Sequence, residues 1–223
     1  MPRILLWLVG GCAGCAFASG QLTPEPLSSW SAAPACESEA PDPVALFKRG
    51  SSLVSPYMLL SEHPVSVAQQ HADEVRRGIS CLDKAIELRP DYWQALWFRG
   101  KAYQALGEMR AARDSFRAAY NLQPENPDVG RELVITYIDQ SEFGEAVPIA
   151  KRLAEDHPID AGLKANYALA LVLDGQIGAG QATIADALRL DPSDSVTRAL
   201  KTRIDEIASG KRARPQSVHD LEK

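Results

Sequence analysis

Prolines at 90, 124, 158 and 192 stand 34 residues apart, and the side chains before them keep step. Twelve positions before each proline the residue is small: Gly78, Ala112, Ala146 and Gly180. Eight before each it is apolar: Leu82, Phe116, Ala150 and Ile184. Five before each stand Ala85, Ala119, Leu153 and Ala187. Unrelated helices drift out of phase, so registers that agree over four cycles constrain the chain to a stack of like units. A small residue is needed where two helices of one hairpin cross closely, and the larger apolar ones fill the seam to the next hairpin.

Trp93 to Pro124, WQALWFRGKAYQALGEMRAARDSFRAAYNLQP, is the clearest unit. It reads as two amphipathic helices with Leu106-Gly107-Glu108 as the turn. Gly100, Tyr103, Gly107, Ala112, Phe116, Ala119 and Pro124 resemble, in order and spacing, the tetratricopeptide repeat. Leu96 and Arg99 depart from that pattern, standing where it has Trp and Leu. The resemblance, of the type found in exported bacterial envelope proteins, implies an all-α right-handed solenoid: about four helix-turn-helix hairpins and a C-terminal capping helix.

The expected organisation follows. Residues 1–20 read as a signal peptide: Arg3, an apolar Ile4 to Val9, and the small-x-small stretch Ala16-Phe17-Ala18. A rival reading takes Val9-Gly10-Gly11-Cys12 as a lipoprotein box that leaves a lipidated Cys12. Residues 21–43, rich in Pro, Ser, Ala and Glu, read as an extended disordered linker. The repeat domain is expected over 44–209, with repeats at about 44–90, 93–124, 127–158 and 161–192 and a capping helix at 194–209. Gly50 to Pro90 spans 40 positions against 24 from Gly100 to Pro124, so the first repeat carries 16 extra residues around 55–70. Tyr57, Met58, Leu59 and Leu60 within them are expected to cover the open edge of the first hairpin. Ser141 replaces the turn glycine in the third repeat, and Pro148 predicts a kink or a late helix start. Residues 210–223, with Lys211, Arg212 and Arg214, read as a solvated polar tail.

Cys12 and Cys15 fall in the signal segment, so their C-x-x-C spacing is read as composition rather than metal or redox chemistry. Cys36 and Cys81 remain in the mature chain. Two readings stay open for them: a disulfide in an oxidising envelope, or Cys81 as a small buried residue of a helix.

Catalysis finds no pattern. His63, His71, His157 and His219 are scattered, without metal-ligand spacing. Asp174 to Gly180, DGQIGAG, follows a helix and lacks the Lys-Ser/Thr end of a phosphate loop, so it reads as a turn. With 24 basic against 29 acidic residues the net charge is −5, which argues against nucleic acid as the main partner. No cofactor and no metal are expected. The function expected is a non-enzymatic scaffold of the periplasm or cell envelope, binding a protein or peptide, with assembly of an outer-membrane or pilus-type complex as an analogy of the family. Membrane attachment would come only through Cys12. The alternative is an envelope enzyme or enzyme subunit whose site lies in the first-repeat insertion.

In the resembled family the first helix of each hairpin lines the concave face. That implies inward positions for Trp97, Lys101 and Gln104 on the second repeat and for Asp128, Arg131 and Ile135 on the third. An aromatic, a Lys and an Arg on adjoining faces imply a groove for a segment carrying an acidic residue. Trp97 has a second reading, as core against Ile86. The family's clamp for a terminal carboxylate is not predicted. Asn166, Arg131 and Lys101 are only fragments of it, and Ile135 and Leu169 stand where it wants polar groups.

Overall fold

The computed structural model describes Cys36, residues 42–58 and residues 71–221. Expectations about the signal segment, most of the linker, Leu59, Leu60 and the rest of the insertion lie outside the described residues. Nine α-helices and no strand occur among those described. They are α1 (Pro43–Val54), α2 (Ala72–Leu88), α3 (Trp93–Leu106), α4 (Met109–Leu122), α5 (Pro127–Asp139), α6 (Phe143–Asp156), α7 (Ala161–Leu173), α8 (Ile177–Leu190) and α9 (Ser195–Ala208). Pairs α1/α2, α3/α4, α5/α6 and α7/α8 form hairpins, and α9 closes the stack. First helices of neighbouring hairpins also touch, α1 with α3, α5 with α7 and α7 with α9. Second helices make no comparable contact, so the stack curves with first helices inside.

Local chemistry sets these boundaries. Asp42, Asn126, Asp160 and Asp194 each accept backbone N–H bonds at a helix start, satisfying donors that have no intrahelical partner. Asn126, Asp160 and Asp194 stand 34 apart, a further register of the repeat. Each of α3, α5 and α7 ends in a left-handed residue: Gly107 (φ 77°), Ser141 (φ 60°) and Gly175 (φ 90°). The next residue's N–H closes the turn, as in Glu108 N to Tyr103 O at 2.8 Å and Glu142 N to Tyr137 O at 2.9 Å. Serine holds there at the cost of its Cβ. Ser141→Gly is therefore expected to stabilise the protein by about 1 kcal/mol in urea denaturation; an unchanged or lower midpoint would refute the strain.

All twelve side chains of the three registers are buried. Size is traded between the helices of a hairpin. A Cβ on Gly100 would lie 2.5 Å from the Phe116 ring, and one on Gly50 would lie 2.8 Å from Leu82. In the third hairpin the large partner moves to the first helix, as Val134, and Ala150 faces it from the register. The same trade places Gly130 against Leu153, 2.6 Å from a would-be Cβ, where the second hairpin has Leu96 and Ala119. Ala150 thus stands small in the register where Val134 stands large on the first helix. Helix α6 starts at Phe143 and runs through an exposed Pro148, so the late start expected there does not occur.

At the N-terminal side the structure decides between the two cysteine readings, and at the C-terminal side it differs from the expected tail. Cys36 is buried and disulfide-bonded to Cys81 of α2, with Cα atoms 5.1 Å apart. Lys84 Nζ donates to the Cys36 carbonyl at 3.2 Å. The linker is therefore anchored at this point. Met58, as expected, is buried in the first hairpin's core. The tail is solvated only in part: Lys211, Ala213, Gln216 and His219 are exposed, whereas Pro215, Val218 and Leu221 are buried, the last two in the same cluster as Ile204. Arg214 Nη2 donates to the Leu173 carbonyl at 3.4 Å, completing the C-terminal turn of α7, where carbonyls lack helical partners and cations are favoured. Two apolar residues among polar ones were too sparse a signal for this fold-back. No described helix is long and apolar enough to cross a membrane.

Candidate binding groove

The inward residues of the second and third repeats form two polar clusters. In the first, Lys101 and Gln104 of α3 are only 5% and 6% exposed, and both reach across to Glu132 of α5. Lys101 Nζ meets Glu132 Oε1 at 3.0 Å, and Gln104 Nε2 donates to Oε2 at 3.4 Å. The Lys101 ammonium also lies 5.9 Å from the centre of the Trp97 ring. In the second cluster Arg131 binds Asp128 at 3.2 Å and Asp160, the cap of α7, at 3.0 Å. Ile135 is half-buried, one turn beyond Arg131. The six inward residues are thus brought onto neighbouring first helices. Both cations that would have met an acidic ligand already have carboxylate partners.

Trp97 has the core contacts of its second reading and stays partly exposed. It is half-buried and packs against all three hydrophobic clusters of the described residues, with Ile86 beside the same cluster in two of them. Its indole Nε1 is buried without a hydrogen-bond partner.

That orphaned nitrogen is one of a set. Among the described residues, six buried side-chain nitrogen and oxygen atoms lack a partner: Trp97 Nε1, Gln104 Oε1, Arg131 Nε, Asp139 Oδ1, and both Nδ2 and Oδ1 of Asn166. Every one lies on α3, α5 or α7, the first helices. A buried polar atom without a partner costs about 1–3 kcal/mol, so their concentration on one face is informative. Asn166, 2% exposed, stands one repeat beyond Glu132. Glu132 is met by Lys101 and Gln104, whereas one repeat along the corresponding residues are Ile135 and Ile138. The amide of Asn166 has therefore lost the polar neighbours its predecessor has.

Asp139, the last residue of α5, completes the face. Burial, reinforced by the nearby Glu132 charge, pushes its carboxyl up to about 7. Glu132, Asp139 and Asp160 were not singled out from the sequence. Glu132 and Asp139 lie one and eight positions beyond Arg131, and Asp160 belongs to the cap register; reading the repeat positions across units would have reached them.

Residues 68–127 match the tetratricopeptide repeat family. Solved structures agree over most of the chain. One is YrrB, described as a tetratricopeptide-repeat protein with an unusual peptide-binding site: TM-score 0.59, 18% identity, covering 81% of this chain and 84% of that one. Another is MamA from Desulfovibrio magneticus RS-1: TM-score 0.60, 15% identity, covering 81% of this chain and 90% of that one. The fold is a tetratricopeptide-repeat solenoid. A stretch of 85 residues is also 28% identical to the transcription factor tau 131 kDa subunit of Saccharomyces cerevisiae. That match covers 38% of this chain and 8% of the yeast protein. No group of three or more potential metal ligands occurs among the described residues.

Proposed function

We propose that this chain is an exported, non-catalytic scaffold that holds a peptide segment or a partner subunit in the groove formed by α3, α5 and α7. The observation that carries the reading is the set of orphaned polar atoms on those helices. The Asn166 amide offers a donor and an acceptor together, the pair that a peptide unit of an extended segment complements. Ile135 of α5 and the indole of Trp97 of α3 would add apolar surface along the same row of first helices. The peptide-binding site named for YrrB is a precedent for this use of the fold, at an identity that speaks for the fold alone. The Cys36–Cys81 bond favours an oxidising compartment, in keeping with the leader-like residues 1–20 and a place in the periplasm or envelope.

Site-specific photocrosslinking tests the groove. A benzoylphenylalanine at Ile135 is expected to trap a partner from envelope extracts. The same group at Lys151, exposed on the second helix α6, is expected to trap none. Asn166→Leu should lower the yield at 135 by about tenfold, the worth of one or two hydrogen bonds. Trp97→Phe, which keeps most of the ring but removes its N–H, should lower it less. Adducts equal at both positions, or a yield at 135 untouched by Asn166→Leu, would rule out the groove as the binding surface.

A further inference from the structure

The groove has a chemical direction. Orphaned donors lie toward the N-terminal halves of the first helices, at Trp97 Nε1 and Arg131 Nε. Orphaned acceptors lie at the C-terminal ends of α3 and α5, at Gln104 Oε1 and Asp139 Oδ1, and the Asn166 amide near the middle of α7 carries one of each kind. Seven or eight residues of helix separate the two kinds, roughly 10–12 Å. Gln104 is 6% exposed, and its amide is fixed by the bond from Nε2 to Glu132, which leaves Oε1 without a donor. Charge follows the same direction. Lys101 is held by Glu132, and Arg131 by Asp128 and Asp160. Asp139 is the remaining carboxylate, so two cations face four carboxylates on this surface. The other charged group that acts on Asp139 is Glu132 of its own helix, and the buried residues of α7, Asn166 excepted, are apolar.

Resting on the groove reading above, we propose that the bound segment carries a lysine or arginine, received at the C-terminal end of the groove by Asp139 and the Gln104 carbonyl oxygen. A cationic side chain supplies several N–H donors and a positive charge, which a carboxylate without an ion-pair partner and an amide oxygen without a donor each accept. An acidic side chain would meet the same oxygens as a third like charge. Because the Asp139 carboxyl sits near 7, its charge is present above that pH and absent below it. A cation lowers this value on binding, so the grip strengthens as pH rises from 6 to 8.

The test uses the full chain, immobilised with its disulfide intact. Four nonapeptide sublibraries are degenerate except for a central Lys, Arg, Ala or Glu. At pH 8 the Lys and Arg sublibraries should be retained at least about tenfold better than Ala, with Glu lowest. Asp139→Asn, of the same shape, should collapse that preference to under about twofold. Wild type at pH 6 should lose most of the preference without any substitution, so the outcome does not depend on how the variant folds. Equal retention of Lys, Arg and Ala peptides by wild type overturns the proposal and leaves the groove intact. So does a preference that survives both Asp139→Asn and pH 6. Retention of no sublibrary above the Asn166→Leu protein overturns the proposal together with the groove reading beneath it.

Discussion

Ile204→Asp is expected to unfold the last repeat while the first remains protected. Ile204 is fully buried under α9, in a cluster that includes Val172, Ile184, Val218 and Leu221. Removing a buried Ile side chain costs about 2–5 kcal/mol, and a carboxylate without a partner there adds to it. Stacked repeats are coupled mainly to their neighbours, so the loss should spread inward from the C-terminus. The first hairpin has a core of its own, built from Leu46, Val54, Val75, Ile79 and Leu82, and it is pinned by the disulfide. Hydrogen exchange should show α7, α8 and α9 losing protection first and α1 and α2 last. Uniform loss along the whole chain would contradict a linear stack.

Opening the disulfide should act at the other end and with similar size. Cys36 and Cys81 are 45 residues apart, and closing a loop of that length is worth about 4 kcal/mol in the chain-entropy account. Cys36→Ser is the cleaner substitution, because Cys81 is fully buried in α2 and its replacement would also disturb packing. The variant, or wild type with a thiol reductant, is expected to lose protection in α1 and α2 first. A melting curve of wild type that does not respond to reductant would refute the pairing. The same experiment bears on compartment, since a bond of this worth contributes only where thiols are oxidised.

The stacking pattern was legible because it is local and repeated. Gly78, Ala112, Phe116 and Leu153 announce their burial by position alone, since a one-residue shift would turn each from the seam to solvent. The left-handed turns at 107, 141 and 175 follow from the same register, even where serine replaces glycine. The groove was only half legible. The family resemblance implied an inward direction for Lys101, Gln104 and Arg131, but not their partners. Glu132 binds Lys101 from 31 residues away, and Asp160 binds Arg131 from 29. Such pairs depend on how far one helix slides on the next, a distance that no residue spacing states.

What the sequence determined by itself is therefore the architecture: the 34-residue period selects helix hairpins, sets their lengths and decides which faces meet, because burial of a periodic apolar stripe has one solution. Tertiary structure alone decided the rest. It brought Cys36 to Cys81, folded Val218 and Leu221 back under the last helix and set Arg214 on the end of α7. It also left Asn166 and Asp139 without partners on the inner face. Each of these is a meeting of residues far apart in the chain, decided by three-dimensional proximity and by desolvation, neither of which has a period.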